Sequence, residues 1–148
     1  MGFRALRRSP AGGGPQVLRG GRELKLLLDA HVFVWWIENP REISKPARQT
    51  IAALENPAYL SAASVWEISI KAALGRLPPV LDIVSAMRAH KFLPLDITLA
   101  HAAAAGTLPL HHRDPFDRML VAQARLEGMV IVSRDRRLAP YDVPVLWT

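Results

Sequence analysis

Leu24-Lys25-Leu26-Leu27-Leu28 ends on Asp29, and Met129-Val130-Ile131-Val132-Ser133 ends two residues before Asp135. Both runs are short and apolar, the pattern of strands buried on both faces. Strands of that kind belong to parallel sheets covered by helices on each side, so the fold class is α/β. In such sheets ligands bind beyond the carboxyl ends of the strands. Each run delivers an aspartate to that position.

Working outward, Ala58-Tyr59-Leu60, Phe92-Leu93-Pro94-Leu95 and Val143-Pro144-Val145-Leu146-Trp147 read as three further strands. Pro144 confines the last of them to an edge. Helices fill the intervals. One covers residues 31–37; a second, 45–54, is capped by Ser44 and broken by Asn56-Pro57. A third, 63–74, stops at Gly75 as a left-handed cap demands. A helix over 80–90 follows Pro78-Pro79, and an alanine-rich helix over 98–105 ends at Gly106. The clearest, 116–127, starts from Asp114-Pro115 and closes at Gly128.

The chain has 148 residues, half of them hydrophobic and 22% charged, which suits one globular domain. It contains no cysteine, which excludes disulfides, Cys-ligated zinc, iron–sulfur clusters and thiol catalysis. No apolar run reaches about 18 residues, and no hydrophobic signal segment follows Arg4, Arg7 and Arg8, so neither a membrane span nor a signal peptide is expected. A cytoplasmic location follows as the expectation. Residues 1–25 hold six Lys and Arg against one Glu, whereas the remainder holds 13 against 12. The formal charge of +6 therefore belongs mainly to the N-terminal segment and does not mark a nucleic-acid-binding face on the body. Residues 1–23, rich in Arg, Gly and Pro, read as a disordered extension ahead of one domain over 24–148.

The acids carry the chemistry. Asp29 and Asp135 each also fit an ordinary strand-to-helix turn. Glu67 lies in a helix apolar nearly all round, where Ser64, Glu67 and Lys71 form one narrow polar stripe. A surface Glu67–Lys71 pair would contribute about 0.3–0.5 kcal/mol. A helix with so little polar surface is buried on most sides, which turns its one carboxylate toward a solvated cleft. Asp114 reads as an N-cap with Pro115 at the first helical position, and Asp117 falls where the acid of a capping box sits. Two carboxylates 4 Å apart repel by about 4 kcal/mol at an effective dielectric of about 20. Four or five sharing one crevice require a divalent cation or retained protons. Oxygen ligands without cysteine or an ordered histidine pair favour Mg2+ or Mn2+ over zinc, and such a site suits phosphoryl chemistry.

Leu26-Leu27-Leu28-Asp29-Ala30-His31, Ala62-Ala63-Ser64-Val65-Trp66-Glu67-Ile68, His111-His112-Arg113-Asp114-Pro115-Phe116-Asp117-Arg118 and Ser133-Arg134-Asp135 resemble, in order and spacing, the motifs of PIN-domain ribonucleases. The resemblance is closest to VapC-type toxins of bacterial type II toxin–antitoxin systems and covers about residues 24–147. It implies a three-layer α/β/α fold with a five-stranded, mostly parallel sheet. It also implies Mg2+- or Mn2+-dependent endoribonuclease activity, a homodimer, and a small antitoxin that blocks the site. Position by position, the catalytic and metal-holding acids are Asp29, Glu67, Asp117 and Asp135, with Asp114 close by as a further ligand. Ser133 is implied to hydrogen-bond within the site. In the mechanism that follows, a divalent ion activates water for in-line attack on the RNA phosphodiester, while His112, Arg113 and Lys71 contact phosphate. Trp35, Trp36 and Trp66 are candidates for base stacking, though core or dimer packing suits at least two of them. Ala30 departs from the Thr common at that place in the family, and the basic extension lies outside the family pattern.

Other readings of the α/β pattern meet specific obstacles. A haloacid-dehalogenase-like phosphatase needs an Asp where His31 stands. A receiver domain needs a Lys at the end of the last strand, where Leu146-Trp147-Thr148 offers none. No His-Glu-x-x-His sequence is present. The serious competitor is a PIN-like module that binds RNA or a protein without cutting, against which the full set of acids argues.

Overall fold

The computed structural model describes residues 23–78 and 82–148. Except for Glu23, the expected N-terminal extension lies outside the described residues, as does the expected helix start at residue 80. Five strands form one sheet: β1 (Leu26–Leu28), β2 (Ala58–Ser61), β3 (Leu93–Leu95), β4 (Val130–Ser133) and β5 (Val145–Trp147). Their order is β3-β2-β1-β4-β5, and every neighbouring pair is parallel. The sheet is thus wholly parallel where a mostly parallel one was expected. Pro144 immediately precedes the edge strand β5, and its carbonyl accepts from Ile131 N at 3.1 Å.

Among the described residues there are six α-helices: α1 (Ala30–Glu38), α2 (Lys45–Ala52), α3 (Ala62–Ala73), α4 (Ile83–Ala89), α5 (Leu99–Thr107) and α6 (Pro115–Glu127). The alternation of the central strand sorts them into two layers. Leu26 and Leu28 face a core built with Phe33, Ala47, Ile51, Ile68 and Met87 of α1 to α4. Leu27 faces the opposite core, with Leu120, Val121 and Ala124 of α6 and with Tyr141 and Val143. Successive side chains of a strand point to opposite faces, which is why three leucines in a row serve both cores.

Helix ends follow local chemistry with one exception. Ser44 Oγ accepts from Ala47 N, Ser61 Oγ caps α3 through Ala63 N at 3.0 Å, and Gly128 closes α6 in the left-handed conformation. The exception is Gly106. The helix expected to end there runs through it to Thr107. The reason is tertiary: Arg118 of α6 donates from Nη2 to the carbonyls of Ala105 and Leu108, at 3.0 and 3.1 Å. A guanidinium from the neighbouring helix satisfies the end that a left-handed glycine would otherwise close. No helix among the described residues is long and apolar enough to cross a membrane.

The chain moves from β1 outward to β3, then returns to the other side of β1 with β4. The crevice lies where the strand order reverses, beyond the carboxyl ends of β1 and β4.

Candidate active site

Register brings the first two site residues together. Leu28 pairs with Val132, so Asp29 and Ser133 leave adjacent strands side by side. Asp29 caps α1, its Oδ1 accepting from His31 N at 2.7 Å. Its Oδ2 accepts the Ser133 hydroxyl proton at 2.6 Å. Ser133 Oγ in turn accepts from Asp135 N at 3.0 Å. One buried hydroxyl therefore orients the acids of both strands.

The third acid comes from α6. Asp114 caps the helix, with Oδ1 accepting from Phe116 N at 2.9 Å. Asp117 is buried, and its Oδ2 lies 2.7 Å from His112 Nε2. The His112 ring is itself buried and stands 4.0 Å from Asp135 Oδ2. Its loop is pinned: His112 N donates to the Tyr141 hydroxyl at 3.1 Å, and Arg118 Nη1 donates to the carbonyls of Pro109 and His112. His112 was expected to contact phosphate from a loop. In the structure its buried ring lies against Asp117.

Glu67 enters from α3. Lys71 Nζ lies 2.6 Å from Glu67 Oε2, the i,i+4 pair that a surface reading expects. Yet Glu67 is only 5% exposed, and it lines the same cavity of about 260 Å³ as Asp29, Asp114, Asp117 and Asp135. The polar stripe of α3 is thus turned inward. Ser64, three residues earlier, is buried with its Oγ unpartnered.

The electrostatics register the convergence. Burial pushes the Asp117 carboxyl up to about 8, with repulsion from Asp29, Asp114, Asp135 and Glu67 adding to the rise. Asp135 moves the other way: hydrogen bonds from the exposed Arg137, at 3.0 Å from Nε and 2.8 Å from Nη2, hold its carboxyl below the usual range. Lys71 forms an ion pair with Glu67. Five acidic side chains face one cavity, and Asp114 has only backbone N–H partners among the described residues. That donor set fits a hard dication. A ligand atom from each of His112, Asp114 and Asp117 also lies within 4.8 Å of the other two. The oxygen-rich remainder of the wall favours Mg2+ or Mn2+ over a softer ion.

The cavity takes its cations from Lys71, Arg134 and Arg137, whereas Arg113 is exposed elsewhere on the α6 approach. Arg134 and Arg137 had no place in the expected site. They flank Asp135 at the end of a strand, and that position is the signal by which they could have been found. His31 and Trp35, one helical turn apart on α1, complete the wall. The other two candidate tryptophans lie apart from it. Trp36 packs edge-on against Phe92, and Trp66 packs against Phe116 while remaining 63% exposed.

Comparison with known proteins bears on the family and the fold. The family model described as PIN domain matches residues 26–144. Ribonuclease VapC22 of Mycobacterium tuberculosis is 33% identical over 122 residues, covering 80% of this chain and 93% of the relative. The fold is similar to that of VapBC2 from Rickettsia felis, solved bound to a promoter DNA fragment, with TM-score 0.63 and 11% identity. That match covers 82% of this chain and 97% of the other. It is also similar to DNA-bound VapBC from Salmonella typhimurium, with TM-score 0.62, 18% identity and coverage of 82% and 96%.

Proposed function

The chain belongs to the PIN-domain family, and from that premise we propose that it is a divalent-metal-dependent endoribonuclease, the toxic member of a toxin–antitoxin pair. The observation that carries the reading is the gathering of Asp29, Glu67, Asp114, Asp117 and Asp135 around one cavity, with Asp117 pushed up to about 8 by burial and by its neighbours' charge. The ribonuclease named above, one-third identical along most of the chain, supports the same chemistry.

Asp29, Glu67, Asp117 and Asp135, with Asp114 beside them, are the residues that would hold Mg2+ or Mn2+. When bound, the ion supplies Lewis-acid polarisation of the phosphodiester and lowers the pKa of water. The chain's own groups do the rest. Ser133 fixes the carboxylates of Asp29 and the backbone of Asp135 in position. His112 Nε2, 2.7 Å from Asp117 Oδ2, holds that carboxyl in position. Lys71 and Arg137, paired with Glu67 and Asp135 in the free protein, line the same cavity and would supply positive charge for the RNA phosphate.

The antitoxin belongs to the same proposal, which the fold's similarity to a toxin–antitoxin complex from Klebsiella pneumoniae supports. A homodimer would cover the exposed apolar stripe of Trp66, Ile70 and Leu74 along α3. The test is direct. Purified full-length protein is incubated with structured RNA in Mg2+ and then with EDTA, beside the Asp29→Asn and Asp117→Asn variants. Cleavage that needs Mg2+ and is lost in both variants is expected. Metal-independent binding without cleavage would favour a non-cutting module, and wild-type cutting by both variants would overturn the metal site.

A further inference from the structure

We infer that the guanidinium of Arg134, held over the Trp35 ring in the wall of the acidic cavity, is a stacking platform for an unpaired nucleobase next to the scissile phosphate. Resting on the ribonuclease reading, this deepens it by naming the substrate feature that the site grips.

The geometry separates what Arg134 has already committed from what it still offers. Its Cζ stands over the Trp35 ring, 4.2 Å from the centroid, so the ring lies against one side of the guanidinium. Trp35 itself packs against the core, and both residues line the cavity. The donor edge is committed as well. Nε donates to the carbonyl of Thr148 at 3.3 Å, Nη1 to Glu42 Oε1 at 3.3 Å, and Nη2 to the carbonyl of Glu42. Three of five N–H groups are thus spent on fixing orientation. The side chain nevertheless remains 46% exposed.

A guanidinium whose fork grips its own protein is poorly placed to chelate a phosphate through those donors. Its outer face is a rigid, planar cation aligned beside the acids. Arginine planes and aromatic rings are the surfaces on which unstacked RNA bases are held. A duplex buries its base faces and cannot use this one, so the substrate is single-stranded or looped at that position. Lys71 and Arg137 line the same cavity and bring charge for phosphate, which leaves Arg134 the complementary task.

The experiment compares wild type, Arg134→Lys and Arg134→Ala in Mg2+, on a single-stranded substrate and on copies carrying an abasic spacer at each nucleotide flanking the cut. Arg134→Lys keeps the charge and loses the plane. Both variants should raise KM by roughly 5–150-fold, the range for loss of one stacked base, with kcat little changed. One abasic position should cost wild type a similar factor and cost Arg134→Ala nothing further. Melting curves of the variants monitor the Glu42 and Thr148 contacts, and the KM effect should persist in variants that remain folded at the assay temperature. Rescue by Arg134→Lys would overturn the inference in favour of simple charge. So would an abasic cost that adds fully to the variant's. Failure of wild type itself to cut would instead strike the ribonuclease reading.

Discussion

His112 Nε2 stands 2.7 Å from Asp117 Oδ2, and both side chains are buried. A contact that short requires one hydrogen between the two groups, so histidine and acid share a proton inside the cavity wall. Outer partners of this kind orient a ligating carboxylate and hold it ready. Replacing His112 with Ala should therefore lower the Mg2+-dependent cleavage rate by roughly 10–100-fold and raise the Mg2+ concentration for half-maximal rate. Cleavage rate measured across a Mg2+ series checks it. An unchanged metal requirement would show that the ring does not act through Asp117.

Asp117 makes the metal-free protein sensitive to pH. Its carboxyl is raised from 3.8 to about 8 on folding. Between those values the folded state holds a proton that the unfolded state has lost, so stability falls as pH rises through the window and levels off above it. Asp117→Asn removes that slope. In EDTA at pH 8 the variant should melt roughly 5 °C or more above wild type, since each kcal/mol is worth about 2–4 °C at this size. Near pH 4 the two should converge. The same variant should not cut RNA.

Ser133→Ala removes a hydroxyl that donates to Asp29 Oδ2 and accepts from Asp135 N. Both groups lose a buried partner, at a cost of about 1–3 kcal/mol. Urea unfolding in EDTA should show a lower midpoint with an unchanged slope. Bound Mg2+ should recover part of the loss.

Lys71 competes with a cation for Glu67, 2.6 Å away. Lys71→Met should thus lower the Mg2+ concentration for half-maximal cleavage while raising KM for RNA. Opposite movement of these two constants is the signature, and a Mg2+ requirement that rises would place Lys71 outside this role.

Much of this was legible before any coordinates. Apolar runs ending on Asp29 and near Asp135 located the crevice, because side-chain alternation and parallel pairing are local consequences of sequence. Asp114-Pro115 and Gly128 bounded α6 because caps are local too. What escaped was tertiary. Gly106 reads as a helix end until Arg118 arrives from thirteen residues away to satisfy the carbonyl of Ala105. His112 reads as a loop residue until Tyr141 and Arg118 pin its backbone. Arg134 and Arg137 stand beside Asp135 at a strand end, which places them near the crevice, but which way each side chain points depends on a cavity built from three other segments.

The central claim is that buried, crowded acids at one cavity call for a dication, and Asp117, raised first by burial and then by its neighbours' charge, is the group that reports it. Carboxyl carbon chemical shifts, followed by NMR against pH in isotope-labelled protein, give its titration midpoint with EDTA and with Mg2+. The midpoint should lie near 8 without metal and fall below neutrality when Mg2+ binds, with release of a proton at pH 7. A metal-free midpoint near 4, or one that Mg2+ leaves where it was, would contradict the account.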